Sequence, residues 1–149
     1  MKVWPTLAPV FIIIAISQDA VGQTSVKPQF QTTRSGIYTN AQAKRGQDVY
    51  VGFCKSCHTP ETHTGQTFST KWNGKALSEL YSYITEQMPK NEPGSLSPEE
   101  YADVMTYVLK MNGMPAGAKE LPPDGEAMKT IRIDTKPATT KKPPVRKDP

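Results

Sequence analysis

Residues 54–58 read Cys54-Lys55-Ser56-Cys57-His58, and these two cysteines are the only ones among the 149 residues of the chain. The pattern C-x-x-C-H is typical of a covalent c-type haem attachment site. Two thiols three positions apart can each add across one vinyl group of the porphyrin, and the histidine that follows brings its imidazole beneath the iron. The pattern therefore predicts one haem c, anchored at Cys54 and Cys57 with His58 as a ligand to iron, in an electron-transfer protein.

Two other functions use the same residues and stay open as alternatives. A thiol–disulfide oxidoreductase would use Cys54 and Cys57 as its dithiol, but such motifs accompany a βαβ pattern and no β-rich segment precedes this one. A zinc-binding structural module would use both cysteines with His58 and His63, but ligands at the adjacent positions 57 and 58 strain a tetrahedral site. A chance pair of inert thiols is the third possibility, and the haem interpretation is favoured over all three.

The first 22 residues resemble a secretory signal. Lys2 is followed by a mostly apolar run from 7 to 16 and by small residues at Ala20 and Gly22, which predicts cleavage near Gly22 and export to the periplasm. The run is shorter than the roughly 20 apolar residues that span a bilayer. An uncleaved membrane anchor is the alternative.

The remaining chain divides into three parts by composition. Residues 23–36 are polar and predict a flexible leader, 37–133 predict one small domain, and 134–149 predict a disordered tail with four prolines and no aromatic residue. The tail carries five basic and two acidic residues, a net +3 of the chain's +4. It is suited to weak contact with an anionic membrane surface or an acidic partner, or it is a solvated tether. Nucleic-acid binding is not expected, because the tail lacks interleaved aromatic residues.

Three helical patterns fall within 37–133, and no segment predicts a sheet, so we expect an all-α fold. The first helix opens at Thr39, with Gln42 completing a T-x-x-Q capping box, and runs into Cys54. Its small or apolar positions are Ala43, Gly46, Tyr50 and Phe53. The second pattern ends before Pro89 and has its apolar positions at Leu77, Leu80, Tyr81 and Ile84.

The third helix has the clearest boundaries. Ser97 is its N-cap, Pro98 occupies the first turn, and Glu100 completes a capping box, while Gly113 and Pro115 end it. Its predicted apolar face comprises Tyr101, Val104, Met105, Val108 and Met111. Residues 59–72 show no strong helical pattern and predict a long loop suited to wrapping a prosthetic group. Residues 119–133 are expected to fold back on the domain in an unspecified way.

The opposite face of the iron needs a second ligand or stays open. The candidates are Met88, Met105, Met111, Met114, Met128 and His63. Met105 and Met111 lie on a helical apolar face, where methionine is ordinarily core, and His63 follows His58 too closely and is expected to be an exposed loop residue. Met88 and Met114 each precede a proline, which favours extended backbone. Met88 lies 30 residues after His58 with one helix between them, so it is favoured, Met114 comes second and an open site third.

Taken together, these features resemble a class I cytochrome c over about residues 37–133. The stretches Met88-Pro89, Pro93-Gly94-Ser95-Leu96-Ser97, Asn112-Gly113 and Pro115-Ala116-Gly117 are similar to small cytochromes associated with quinoprotein alcohol dehydrogenases. The resemblance implies three main helices and long loops around one covalently bound haem. It also implies His58 and Met88 as iron ligands, a close crossing of two helices at Gly46 against Tyr107, and Trp72 beside the haem, where simple core packing is the alternative.

The expected function is therefore a monomeric carrier rather than an enzyme. It would accept one electron from a dehydrogenase and pass it to an oxidase or another cytochrome. No catalytic residue is expected.

Overall fold

Five α-helices and one pair of two-residue strands make up the part of the chain that the computed structural model describes, residues 30–135 together with Met1. The helices are α1 Asn40–Val49, α2 Gly65–Trp72, α3 Leu77–Gln87, α4 Pro98–Met111 and α5 Gly125–Met128. Strands β1 Gln31–Thr32 and β2 Ile131–Arg132 pair in parallel. The all-α prediction is confirmed. The predictions for the signal, for leader residues 23–29 and for tail residues 136–149 lie outside the described residues.

Helix α1 begins as predicted, but half of its predicted capping box is wrong. The Thr39 hydroxyl accepts from the Gln42 backbone N–H at 3.0 Å, whereas the Gln42 side chain turns away from the cap. Its Nε2 donates to the Leu121 carbonyl at 2.9 Å, and the Leu121 N–H donates to its Oε1 at 2.8 Å. Gln42 therefore binds the returning C-terminal segment to α1 through a two-way pair of buried hydrogen bonds.

Replacing Gln42 with alanine should lower the free energy of unfolding by about 1–3 kcal/mol, because it leaves two buried backbone groups of Leu121 without partners. Urea titration followed by circular dichroism measures the change. Gln66→Ala is the matched control, since Gln66 is exposed on α2 and its side chain bonds only the Thr70 hydroxyl. Equal midpoints for the two variants would contradict this role of Gln42.

Helices α1 and α4 cross at Gly46, in backbone contact. A Cβ added at Gly46 would overlap the Asp103 carbonyl and touch the Val104 nitrogen. The predicted close crossing is present, but its partner is Asp103–Val104 and not Tyr107, whose ring lies 5.4 Å from that of Tyr50. Tyr107 lies one turn further along α4 and meets Tyr50, which is one turn beyond Gly46 and directly follows α1.

Arg45 reinforces this crossing from the next position on α1. Its guanidinium donates to both carboxylate oxygens of Asp103, at 2.8 and 3.1 Å. The same group donates to both oxygens of Glu120, at 3.0 and 3.1 Å. Paired hydrogen bonds of this kind are the strongest geometry for an arginine–carboxylate contact. Arg45 thus joins α1, α4 and residues 119–133, called the return segment below, at one point.

Helices α3 and α4 form where the sequence predicted them. The Ser97 hydroxyl accepts from the Glu100 N–H at 3.2 Å and the Glu100 carboxylate accepts from the Ser97 N–H at 2.8 Å, which completes the capping box. The predicted apolar face of α4 is buried at Tyr101, Val104, Met105 and Val108, while Met111 is only partly buried. Gly113 follows with φ +72°, a conformation that glycine adopts without strain.

Two predicted irregular segments are ordered structure instead. Residues 59–72 were expected to form a loop, but they contain a 3-10 turn, Pro60–His63, and helix α2. Helix α2 buries only Phe68 and Trp72, and one apolar pair is too few to reveal a helical period. The leader prediction is wrong for residues 31–35, which form β1 and a 3-10 turn, with Thr33 fully buried.

The return segment 119–133 folds back as expected, and the structure shows how. Four apolar side chains enter the core: Leu121, Met128, Ile131 and Ile133. The Ile133 N–H donates to the Lys75 carbonyl at 2.9 Å, and the Gly74 N–H donates to the Ile133 carbonyl at 2.8 Å. These bonds join the return segment to the start of α3. Within residues 30–135, no helix is long and apolar enough to cross a membrane.

Candidate haem site

All five residues predicted for the site line a single cleft of about 220 Å³. They are Cys54, Cys57, His58, Trp72 and Met88. Around them the lining is mostly apolar and includes Tyr50, Phe53, Phe68, Leu80, Tyr83, Ile84, Val104 and Val108. The cleft thus combines two thiols, an imidazole and a thioether with an apolar interior.

The cysteine end of the cleft continues directly from α1. A π-helical turn, Tyr50–Cys54, extends the helix to the first cysteine. The N–H groups of Cys57 and His58 then donate to the Cys54 carbonyl at 3.1 and 2.9 Å, which curls the motif into a tight turn. The Tyr50 hydroxyl donates to the His58 carbonyl at 3.2 Å. The position of His58 is therefore tied to a buried residue of the preceding helix.

Met88 follows α3 with extended backbone, φ −134° and ψ 150°, as expected for a residue before proline. Its carbonyl accepts a hydrogen bond from the Tyr101 hydroxyl at 2.8 Å, so α4 holds the Met88 backbone. The competing candidates lie elsewhere: Met105, Met114 and Met128 are buried in the core and do not line the cleft. The Met114 carbonyl instead accepts from the Tyr38 hydroxyl at 2.6 Å. The geometry favours Met88 among the methionines.

His63 is not the exposed loop residue that its sequence position suggested. It ends the 3-10 turn after the motif, is partly buried, and lines the same cleft. Its ring centroid lies 4.7 Å from that of His58 and 5.7 Å from that of Tyr50. Burial, together with the neighbouring His58, lowers the pKa of His63. Its side chain therefore lines the cleft in contact with His58.

Trp72 combines the two roles considered for it. It is buried in the main core cluster and also lines the cleft. Its ring meets Tyr83 edge to face, with centroids 5.4 Å apart. The Lys71 ammonium lies 3.6 Å from the centroid of Tyr83, a cation–π contact at the cleft wall. The predicted position of Trp72 beside a haem stays a prediction.

These residues fit a haem by the chemistry of their side chains. Phe53 is 49 % exposed and Tyr83 is 38 % exposed, although both line the cleft. Phe53 was predicted on the buried face of the first helix, and the structure places it at the cleft wall. Large aromatic surface of this kind is suited to covering a flat apolar ligand. Cys54, Cys57 and His58 line the same cleft as Phe53, and they have the C-x-x-C-H spacing that is typical of covalent haem attachment.

Residues 41–108 match the protein-family model described as cytochrome c oxidase, cbb3-type, subunit III. The match runs from α1 through the cysteine motif and Met88 to α4. The matched stretch is similar to a cytochrome c domain. Such a domain implies covalently bound haem c, and the helical architecture is that of a class I cytochrome c. No curated protein and no solved structure matches the chain. The resemblance to cytochromes associated with quinoprotein dehydrogenases therefore stays a prediction.

One residue that supports the site was not predicted from the sequence. Asn112, just beyond α4, donates from Nδ2 to the His63 carbonyl at 2.8 Å and accepts from the Gly65 N–H at 3.1 Å. It therefore holds the segment that follows the haem motif. An asparagine directly after a long helix and before glycine is a frequent cap residue. That local signal gave no indication of contacts almost 50 residues away in the chain.

Proposed function

We propose that the chain is a one-electron carrier with a single haem c, attached at Cys54 and Cys57 and ligated by His58 and Met88. The observation that carries the proposal is that these four side chains line one apolar cleft within a cytochrome c domain. A bound haem would supply an iron that takes up and releases one electron. The residues of the chain hold that group, exclude water and keep the ligands in place.

The backbones of both proposed ligands are held by tyrosine hydroxyls. Tyr50 donates to the His58 carbonyl and Tyr101 donates to the Met88 carbonyl. Tyr50 and Tyr101 are themselves buried. They belong to two different elements, the π-helical turn after α1 and helix α4, so each ligand backbone is held by a separate part of the fold. A ligand set that moves little between oxidation states suits a carrier. Thioether ligation by methionine raises the reduction potential.

The rim of the cleft carries positive charge. Lys71 and Lys90 line the cleft, and Lys55 is exposed between the two cysteines. A positive rim favours encounter with a partner whose surface is acidic, and screening by salt weakens that attraction. We therefore propose periplasmic redox proteins as partners, with a dehydrogenase as donor. The matched family is named as an oxidase subunit, which supports an oxidase as acceptor.

Neither alternative function gains support from the site. A redox-active dithiol depends on a lowered thiol pKa, whereas burial raises the pKa of the Cys54 thiol. A zinc module needs four ligands, and no group of three or more His, Cys, Asp or Glu side chains in the described chain is placed to hold a metal ion.

One absorption spectrum tests the proposal. Protein produced in a host with haem-attachment machinery should show sharp haem bands that survive acid–acetone extraction. A colourless product, or haem that the solvent removes, would contradict the proposed covalent haem attachment.

Replacing Met88 with alanine should change the absorption spectrum of the reduced protein. The spectrum of low-spin haem should give way to that of a haem whose sixth iron position is open or holds water. The substitution should also lower the potential by on the order of 0.1 V, since axial ligands move haem potentials over about 0.8 V. Potentiometric titration measures this. Met114→Ala is the control: Met114 is buried away from the cleft, so this variant loses stability but keeps its spectrum. An unchanged spectrum for Met88→Ala would show that another group is the ligand.

A further inference from the structure

His63 is the one imidazole lining the described cleft that the proposed function leaves unused. Its ring lies against the ring of His58, with centroids 4.7 Å apart and planes inclined by 59°. Both imidazoles line the cleft. His63 comes five positions after His58, so on sequence alone it could have pointed to solvent. The structure instead places its ring in contact with the ring of the proposed iron ligand.

The backbone of His63 is held by the end of α4. Asn112 Nδ2 donates to the His63 carbonyl at 2.8 Å and also to the Val108 carbonyl at 2.9 Å. The Gly65 N–H donates to Asn112 Oδ1 at 3.1 Å. A single amide thus binds both sides of the segment that carries His63, and α4 belongs to the core of the domain.

The ring of His63 is held as well. The Thr62 hydroxyl donates to the Thr59 carbonyl at 2.7 Å and lies 3.3 Å from the His63 ring nitrogens. The His63 ring also meets the Tyr50 ring edge to face, with centroids 5.7 Å apart.

The His58 ring is less restrained by its own chain. The hydrogen bond from Tyr50 fixes the His58 carbonyl, but it leaves rotation of the imidazole about its side-chain bonds. The His63 ring is in contact with the His58 ring, with centroids 4.7 Å apart, and a ring contact at this distance limits that rotation. We propose that His63 is a positioning residue for His58, which sets the orientation of the His58 imidazole plane relative to the bound haem.

The chemical consequence follows from how imidazole binds iron. Groups around a ligating histidine orient its ring and tune the metal. The direction of the imidazole plane decides which iron orbital it overlaps, and hence how the unpaired electron of the ferric state is distributed. This inference rests on the proposed function, because it takes His58 to be an iron ligand.

Electron paramagnetic resonance of the ferric holoprotein tests it, because the g values of low-spin haem report the ligand planes. His63→Ala should shift the largest g value, and His63→Phe, which keeps a ring in place, should shift it less. Asn112→Ala should shift it in the same direction as His63→Ala by releasing the segment. Gln66→Ala, on the exposed side of α2, is the control and should match the wild type.

The outcomes separate the two proposals. If the wild type binds haem covalently and is low-spin, but His63→Ala and Asn112→Ala both keep its g values, the positioning role is wrong. If His63→Ala becomes high-spin, His63 is itself a ligand and the positioning role is equally wrong. If the wild type carries no covalent haem, the proposed function fails first. A thermal melt of each holoprotein identifies any variant that has lost its fold. If His63→Ala is unfolded, the g values of His63→Phe are compared with those of the wild type instead.

Discussion

Replacing Cys54 and Cys57 together with alanine is expected to abolish covalent haem attachment completely. Each thioether needs one of these sulfurs, and the chain has no other cysteine. The mass of the intact variant should equal that of the polypeptide alone, and haem-dependent staining after denaturing electrophoresis should disappear. The apolar cleft that contains Phe53 and Tyr83 would then face solvent, so a loss of thermal stability should accompany the loss of colour.

The matched control changes the two residues between the cysteines. Lys55 and Ser56 are both exposed, and the Ser56 hydroxyl contacts only the Cys57 sulfur, at 3.8 Å. A Lys55→Ala, Ser56→Ala variant should therefore keep its full haem content. Retention of covalent haem in the double cysteine variant would show that the attachment residues are wrongly assigned.

Gly46→Ala should cost about 3 kcal/mol of folding stability, the upper end of what overpacking commonly costs. The added methyl would overlap the Asp103 carbonyl, and a backbone group cannot move aside as a flexible side chain can. The two helices must separate, which also disturbs the pairing of Arg45 with Asp103. Chemical denaturation followed by circular dichroism gives the change in the unfolding midpoint.

Gly52→Ala is the control for this substitution. Gly52 lies in the π-helical turn that continues α1, and an added Cβ there would meet no heavy atom within 4 Å. Alanine in a helix is favoured over glycine by about 0.5–1 kcal/mol, so this variant should be as stable as the wild type or slightly more stable. Similar unfolding midpoints for the two variants would mean that the helices do not cross as described.

The elements that the sequence predicted correctly are those with local signals. The capping box at Ser97 and the apolar period of α3 each involve residues three or four positions apart, and both helices formed as expected. Helix α2 was missed because it buries only Phe68 and Trp72. The capping box at Thr39 was half wrong because Gln42 found a partner 79 positions away, which no local pattern reveals.

The same distinction holds for the site. The C-x-x-C-H motif and the Met88-Pro89 pair are each a continuous run in the sequence. Both line one cleft, the motif through Cys54, Cys57 and His58. The supporting contacts of Asn112 with His63 and of Tyr101 with Met88 join different helices. They depend on how α4 packs, so they could be found only from the fold.

Strands β1 and β2 lie side by side, so the chain enters and leaves the folded body from one edge. Residue 31 faces residue 131, and the Thr135 N–H donates to Asn73 Oδ1 at 3.0 Å. Neighbouring strands are about 4.8 Å apart, so a few linker residues would suffice to join the ends into a circular permutant.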